Sequence, residues 1–234
     1  MAKRTLDLLV ALAMLLPLLP VLIIVAIILR FTGERHVFYV QPRRGKGGKM
    51  FGLIKFATMV ADSENIGTKD ITVKNDPRVL PFGRILRKTK INELTQLLNV
   101  LKGDMSIVGW RPLLEAGLNL YPEEIRQELF KIRPGLTGIG SIVFRDEERI
   151  LHLTEKDNRD CYRDDIMPYK GELETWYARS QSIWLDIKLI FATAIAVLLP
   201  SSDFYLKIFP DLPRLPESSE IARIRKLQPS NSTT

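Results

Sequence analysis

The amino-acid sequence predicts an α+β protein, mostly helical, in which an N-terminal membrane helix precedes a small cytoplasmic domain. Residues 8–29 form an apolar run without a single charge, residues 37–59 form two extended stretches around a glycine-rich turn, and helical apolar periodicity begins at Phe82. The chain has 234 residues, enough for one domain with a core and a membrane element. The domain is expected to contain a β-hairpin and amphipathic helices at the membrane interface.

The composition limits the kinds of partner and of catalytic site that the chain is expected to have. A formal net charge of +7 favours an acidic partner, such as anionic lipid, nucleic acid or a phosphorylated substrate. Nucleic acid is excluded from the prediction because the chain has no stacking-aromatic, helix-turn-helix or zinc pattern. The single cysteine, Cys161, rules out a disulfide framework, and the two histidines, His36 and His152, argue against a Ser-His-Asp triad.

The apolar run at 8–29 is long enough to cross a bilayer, and no small-residue cleavage site follows it. Pro17 and Pro20 lie at its centre, where each removes a backbone donor and bends the helix. Basic residues flank both ends of the run and therefore give no orientation: Lys3, Arg4, Arg30 and Arg35. A re-entrant helix that returns to the same face would keep all four near anionic headgroups, and an ordinary span remains the alternative.

Glycines and lysines at 45–49 suit the tip of a hairpin, and residues 61–76 form a polar loop. Residues 90–102 are predicted to form one helix, with Gly103 as its C-cap. Its apolar stripe consists of Ile91, Leu94, Leu98 and Leu101. Glu93 lies in the first turn, where the helix dipole favours an anion, so a simple capping role is one interpretation of this residue.

Towards the C-terminus, residues 189–199 form an apolar stretch of only 11 residues, too short to span. With Trp184 and Lys188 near its start, it predicts a helix that lies at the membrane interface or packs on the domain. The Pro- and Ser-rich end predicts a loose tail with a short basic helix. The chain is thus divided into a membrane-inserted helix-break-helix at 1–36, a domain at 37–200 and a tail at 201–234.

Several motifs occur in one order along the chain: KRTLD, VQPRRGKGGKMF, IKFATM, NDPRVLPFGRILRKTKINELTQLLNVLKGDMSIVGWRP, RPGLTG and SIWLDIKLI. With Pro20 as a helix break, they resemble the bacterial sugar transferase family, the monotopic polyprenyl-phosphate phosphoglycosyl transferases, over residues 2–199. The resemblance implies an enzyme at the cytoplasmic face of the bacterial inner membrane. It would transfer a sugar-1-phosphate from a UDP-sugar to undecaprenyl phosphate and release UMP, the first membrane step of glycoconjugate assembly.

The resemblance also implies the site. Catalysis is assigned to Asn92 and Glu93, and Glu93 is the expected Mg²⁺ ligand. Phosphate or nucleotide binding is assigned to Arg87, Arg111, Lys55, Gln41 and Arg43. These cations suit the chemistry, because the charge of a diphosphate must be neutralised before a nucleophile can approach it. Anionic membrane lipids are expected partners, and the oligomeric state, including a homo-oligomer, stays open.

Two positions depart from the family pattern in ways that bear on the reaction. Asn92 stands where the family has a nucleophilic aspartate, and an amide is a very poor nucleophile. Trp110 begins the family's Pro-Arg-Pro segment and is expected to reshape the nucleotide pocket. Two hypotheses follow: an active transferase that uses Glu93 or direct attack by the lipid phosphate, and an inactive or substrate-trapping member that binds nucleotide-sugar without turnover.

Overall fold

The computed structural model describes residues 1–63, 76–145, 147–198 and 204–226. Most of the polar loop predicted at 61–76 and the end of the tail lie outside these ranges. The helices, in chain order, are α1 (Ala2–Phe31), α2 (Pro81–Lys88), α3 (Ile91–Leu94), α4 (Leu97–Lys102), α5 (Glu115–Leu118), α6 (Glu123–Phe130), α7 (Ile139–Val143), α8 (Glu147–Leu153), α9 (Asn158–Cys161), α10 (Met167–Ser180), α11 (Ile183–Leu198), α12 (Tyr205–Ile208) and α13 (Glu220–Lys226). A π-helical turn, Tyr162–Ile166, joins α9 to α10.

Two small sheets complete the α+β architecture, and the predicted fold class is confirmed. Strands β1 (Phe38–Arg44) and β2 (Met50–Phe56) pair antiparallel, and the tip between them is a 3₁₀ turn at Lys46–Gly48. The second sheet pairs β3 (Ser106–Val108) with β4 (Gly135–Thr137) in parallel. This second sheet was not predicted, because three-residue strands carry too little periodicity to be recognised.

Helix α1 is, among the residues that the structure describes, the one helix long and apolar enough to cross a membrane. It continues through Pro17 and Pro20, so the predicted break at Pro20 does not interrupt the helix. A proline removes one donor, and the turns on either side keep their own hydrogen bonds. The outer face of α1 is exposed and apolar, and includes Leu9, Leu12, Leu16, Leu19, Ile23 and Ile27.

Both ends of α1 contact the same domain. At the start, Lys3 Nζ lies 2.7 Å from Asp186 Oδ2 in α11, and Arg4 donates to the carbonyl oxygens of Val100 and Leu101 in α4. Near the other end, Leu29 is buried in a cluster with Phe56 and Leu86. The helix therefore lies along the domain instead of projecting away from it.

Helix α11 packs on the domain with one apolar face and exposes a second apolar face, as suits a helix at the membrane interface. Leu189 and Ala192 are fully buried against the domain, whereas Trp184 and Phe191 are exposed by 65% and 61%. The Nζ atom of Lys188 lies 5.7 Å from the centre of the Trp184 ring. An apolar face with an aromatic and a lysine at its start suits the headgroup region.

The segment 204–226 corrects the expectation of a loose tail. Tyr205, Phe209, Ile221 and Ile224 are all buried in the main core. The backbone N–H of Glu220 donates to Asp165 Oδ1 at 2.9 Å, which ties α13 to the π-helical turn. Prolines and serines suggested disorder, but the apolar residues between them supply enough burial to order the chain.

Candidate active site

The centre of the site is Glu93, which is held between two cations from distant parts of the chain. Its Oε1 atom lies 2.9 Å from Arg111 Nη2 and 3.7 Å from Lys55 Nζ. Lys55 belongs to β2, and Arg111 follows β3. The structure thus brings together three of the residues that the sequence assigned to the site.

A backbone reversal at Lys90 presents Glu93 to this site. Lys90 has a φ of 60°, in the left-handed region, and turns the chain between α2 and α3. Such conformations cost a bulky residue free energy and occur often at functional sites. The single helix predicted at 90–102 is divided into α3 and α4 by a tighter turn at Thr95 and Gln96, where backbone hydrogen bonds join residues three apart.

The cations keep Glu93 ionised. Burial alone would raise the pKa of this carboxyl group, but Arg111 and Lys55 outweigh burial and lower the pKa to about 2. Burial also lowers the pKa of the Lys55 ammonium to about 8, against the opposing effect of Glu93. At neutral pH the pair is therefore charged, with Lys55 close to its titration range.

Two further predicted cations lie around Lys55. The positive charges of Arg111, Arg43 and Arg87 all lower the Lys55 pKa, which places them in one electrostatic neighbourhood. Arg43 is only 7% exposed, and its Nη2 donates to Gln41 Oε1. Gln41 therefore orients Arg43 in this structure. This cluster of four cations, two of which pair with Glu93, is suited to a polyanion such as a diphosphate.

Asn92, the residue before Glu93, is also buried, with 6% exposure. Its side-chain oxygen Oδ1 has no hydrogen-bond partner within the described ranges. A buried amide oxygen without a partner is costly, and such atoms often mark a place where a ligand supplies the missing contact.

The sequence did not point to the group of residues behind Arg111. The carboxylate of Glu174 is 1% exposed, and its Oε1 accepts a hydrogen bond from the Arg111 backbone N–H at 3.3 Å. Burial raises the Glu174 pKa to about 7. Four residues earlier in α10, Lys170 donates to Glu147 Oε2 at 2.6 Å. The i, i+4 spacing of Lys170 and Glu174 was a usable signal, since it places both on one helix face.

Trp110 is buried and does not line the cation cluster around Glu93, so its expected effect on the nucleotide pocket stays a prediction. Its side chain is 1% exposed and packs edge-on against Phe130 at 6.1 Å between ring centres. The indole is a large apolar side chain that fills the core beneath the strand leading to Arg111.

The donor atoms around Glu93 suit a metal site with few protein ligands. Across the described ranges, no three or more histidine, cysteine, aspartate or glutamate side chains form a metal-binding group. Mg²⁺ commonly binds through one or two carboxylates and completes its shell with substrate phosphate oxygens and water. Glu93 and the unpartnered oxygen of Asn92 fit that minimal donor set.

Known proteins resemble the chain along most of its length. It is 36% identical over 196 residues to the undecaprenyl-phosphate glucose phosphotransferase of Komagataeibacter xylinus, with 82% of this chain and 35% of that protein covered. It is 32% identical over 210 residues to the undecaprenyl-phosphate galactose phosphotransferase of Salmonella typhimurium, with 84% and 40% covered.

A shorter relative is matched almost end to end. The exopolysaccharide production protein ExoY of Rhizobium meliloti is 30% identical over 218 residues, with 87% of this chain and 88% of that protein covered. The chain thus spans less than half the length of the first two relatives and nearly nine tenths of ExoY. A sequence profile of the bacterial sugar transferases matches residues 1–200. The chain belongs to the bacterial sugar transferase family.

Proposed function

We propose that this chain transfers a sugar-1-phosphate from a UDP-sugar to undecaprenyl phosphate and releases UMP. The observation that carries the proposal is the ionised Glu93 paired with Arg111 and Lys55, with Arg43 and Arg87 in the electrostatic neighbourhood of Lys55. The names of the relatives agree with it. They include glucose and galactose phosphotransferases that act on undecaprenyl phosphate, and a protein of exopolysaccharide production.

The cations supply the electrostatic part of the reaction. Lys55 and Arg111 are placed to bind the diphosphate of the donor, and Arg43 and Arg87 add positive charge on the β1 and α2 sides. Guanidinium groups match phosphate oxygens in pairs, and preorganised charge stabilises a transition state without reorganisation.

Direct attack by the lipid phosphate is the route that best fits this site. A lipid phosphate oxygen forms a bond to the sugar-bearing phosphorus. The bond from that phosphorus to the bridging oxygen breaks, and its electron pair leaves with UMP. The Asn92 amide is a poor nucleophile, and the charge of Glu93 is already engaged by Arg111 and Lys55. Glu93 holds the two cations in place.

We propose that Mg²⁺ is held by Glu93, with the Asn92 amide oxygen as a second donor. When bound, the ion neutralises charge on the diphosphate. Glu93 suits this role because it is ionised at neutral pH.

Binding of the nucleotide-sugar without turnover is the second candidate, and the buried amide of Asn92 favours it. The test uses a panel of UDP-sugars labelled in the sugar, with undecaprenyl phosphate and Mg²⁺. Transfer moves the label into the organic phase with equal release of UMP. Saturable binding of UDP-sugar without either product would establish the second candidate and refute the first.

Arg111→Ala is expected to reduce turnover by about 10²–10³-fold, because a contact to the negative charge that develops on the phosphate is lost. Arg87→Ala is expected to act in the same direction. Arg44→Ala is the matched control, since Arg44 pairs with Glu115 at 2.8 Å on the exposed rim and should change turnover by less than about twofold. Near-parental rates in both Arg111→Ala and Arg87→Ala would place the phosphate site elsewhere.

We further propose that the N-terminus and the domain share the cytoplasmic face of the inner membrane. The ion pair of Lys3 with Asp186, and the contact of Leu29 with the domain, support a path that keeps both ends of α1 on the side of the membrane where the domain lies. Ala2→Cys is expected to resist membrane-impermeant maleimide in intact cells and to react after permeabilisation. Cys161 is fully buried and should not react with the maleimide. Labelling of residue 2 from outside would restore the ordinary span.

A further inference from the structure

The edge of β2 that faces away from β1 is satisfied by side chains instead of a third strand. The Asn99 side chain accepts from the Ile54 N–H at 2.9 Å and donates to the Gly52 carbonyl at 2.7 Å. Thr95 Oγ1 donates to the Ile54 carbonyl at 2.9 Å. Together they pair three consecutive edge groups of β2, as a neighbouring strand would.

Both residues are built into the core. Thr95 is 2% exposed and Asn99 is 0% exposed. The backbone carbonyl of Asn99 also accepts from Gly103, Asp104 and Met105, which fixes the end of α4. The side-chain bonds to β2 are therefore made from a rigid support, where a displaced donor or acceptor has no water to replace its partner.

These hydrogen bonds fix the positions of two site residues, Lys55 and Glu93, relative to each other. Ile54 directly precedes Lys55, and Thr95 follows Glu93 by two residues. The hydrogen bond between Thr95 and Ile54 consequently joins the segment that carries the carboxylate to the strand that carries the ammonium. The separation of Lys55 Nζ and Glu93 Oε1, 3.7 Å, is at the long end for an ion pair.

From this geometry we infer that Thr95 and Asn99 are positioning residues, which hold Lys55 and Glu93 at the separation that receives the donor diphosphate. The inference rests on the proposed function for its ligand. Both side chains position Lys55 through their hydrogen bonds to the backbone of β2, and not by contact with the substrate.

The test measures the edge of β2 directly, without catalysis. Amide hydrogen exchange of the peptide that spans β2 is followed in the purified full chain by mass spectrometry. Thr95→Val removes the hydroxyl at almost constant volume, and Thr95→Ser keeps it. Thr95→Ala is a second variant without the hydroxyl. Thr32→Val is the control, since Thr32 donates only to Ile28 within its own turn.

We expect faster amide exchange across β2 in Thr95→Val and Thr95→Ala, because loss of the bond to the Ile54 carbonyl loosens this edge. UDP affinity, measured by calorimetry on the same samples, should fall about tenfold. Thr95→Ser and Thr32→Val should match the parent. Unchanged exchange rates and affinities in Thr95→Val and Thr95→Ala would overturn the inference, as would an equal change in Thr95→Ser.

A parent protein that does not bind UDP would refute the proposed function, whereas amide exchange would still report whether Thr95 holds the edge of β2. A parent that binds UDP, with a β2 edge and a UDP affinity that do not depend on Thr95, would leave the proposed function standing without the positioning residues.

Discussion

Glu93→Gln is expected to abolish UMP release, with a loss of about 10³-fold or more relative to the unaltered protein. The carboxylate is the counter-charge that orients Arg111 at 2.9 Å and Lys55 at 3.7 Å. Glutamine has nearly the same shape but no charge. The two cations would then repel each other, and the proposed metal ligand would be lost with the charge.

The matched control is Glu115→Gln. Glu115 also pairs with an arginine, Arg44, but its side chain is 51% exposed on the rim. Exposed pairs contribute little, so turnover should change by less than about twofold. Turnover that survives in Glu93→Gln at the level of Glu115→Gln would show that the carboxylate takes no part in the reaction.

Asn92→Asp is expected to raise turnover by about 10²-fold or more, because it introduces a carboxylate nucleophile beside the cation cluster. A second, covalent route then becomes available: the new carboxylate displaces UMP from the sugar-bearing phosphorus, and the lipid phosphate later displaces the carboxylate. Mass spectrometry of the intact protein, after reaction with UDP-sugar alone, should detect a phosphosugar adduct on residue 92.

Asn119→Asp controls for the change of charge, because Asn119 is exposed and accepts from Arg126 at 2.8 Å outside the site. Asn119→Asp should keep the parental rate and show no phosphosugar adduct. An Asn92→Asp protein with the parental rate and no adduct would remove residue 92 from the reaction centre.

The fold class could be predicted from local patterns. An uncharged run of apolar residues, a glycine-rich turn between extended stretches and helical stripes are signals that a few neighbouring residues carry. The parallel pairing of β3 with β4 could not be predicted, since each strand has three residues and the pairing depends on chain segments far apart. The folded segment at 204–226 could not be predicted for a similar reason. Its apolar residues are buried only through tertiary contacts with distant parts of the chain.

The site was predictable in part. Lys55, Glu93 and Arg111 were assigned through motifs, and the structure brings these three together. Their environment was not predictable: the buried carboxylate of Glu174 supports Arg111 only after α10 has packed behind β3. The edge bonds of Thr95 and Asn99 likewise form only when the segment 95–99 meets β2, a contact that the local sequence does not encode.

We expect this site, with asparagine at position 92, to transfer sugar-1-phosphate directly to the lipid. The most direct measurement is UMP release by the unaltered protein with and without undecaprenyl phosphate, at saturating UDP-sugar and Mg²⁺. Direct transfer predicts that UMP appears only with the acceptor and in equal amount to the lipid-linked sugar phosphate. A burst of UMP without acceptor, or UDP-sugar binding with no UMP under either condition, would contradict it.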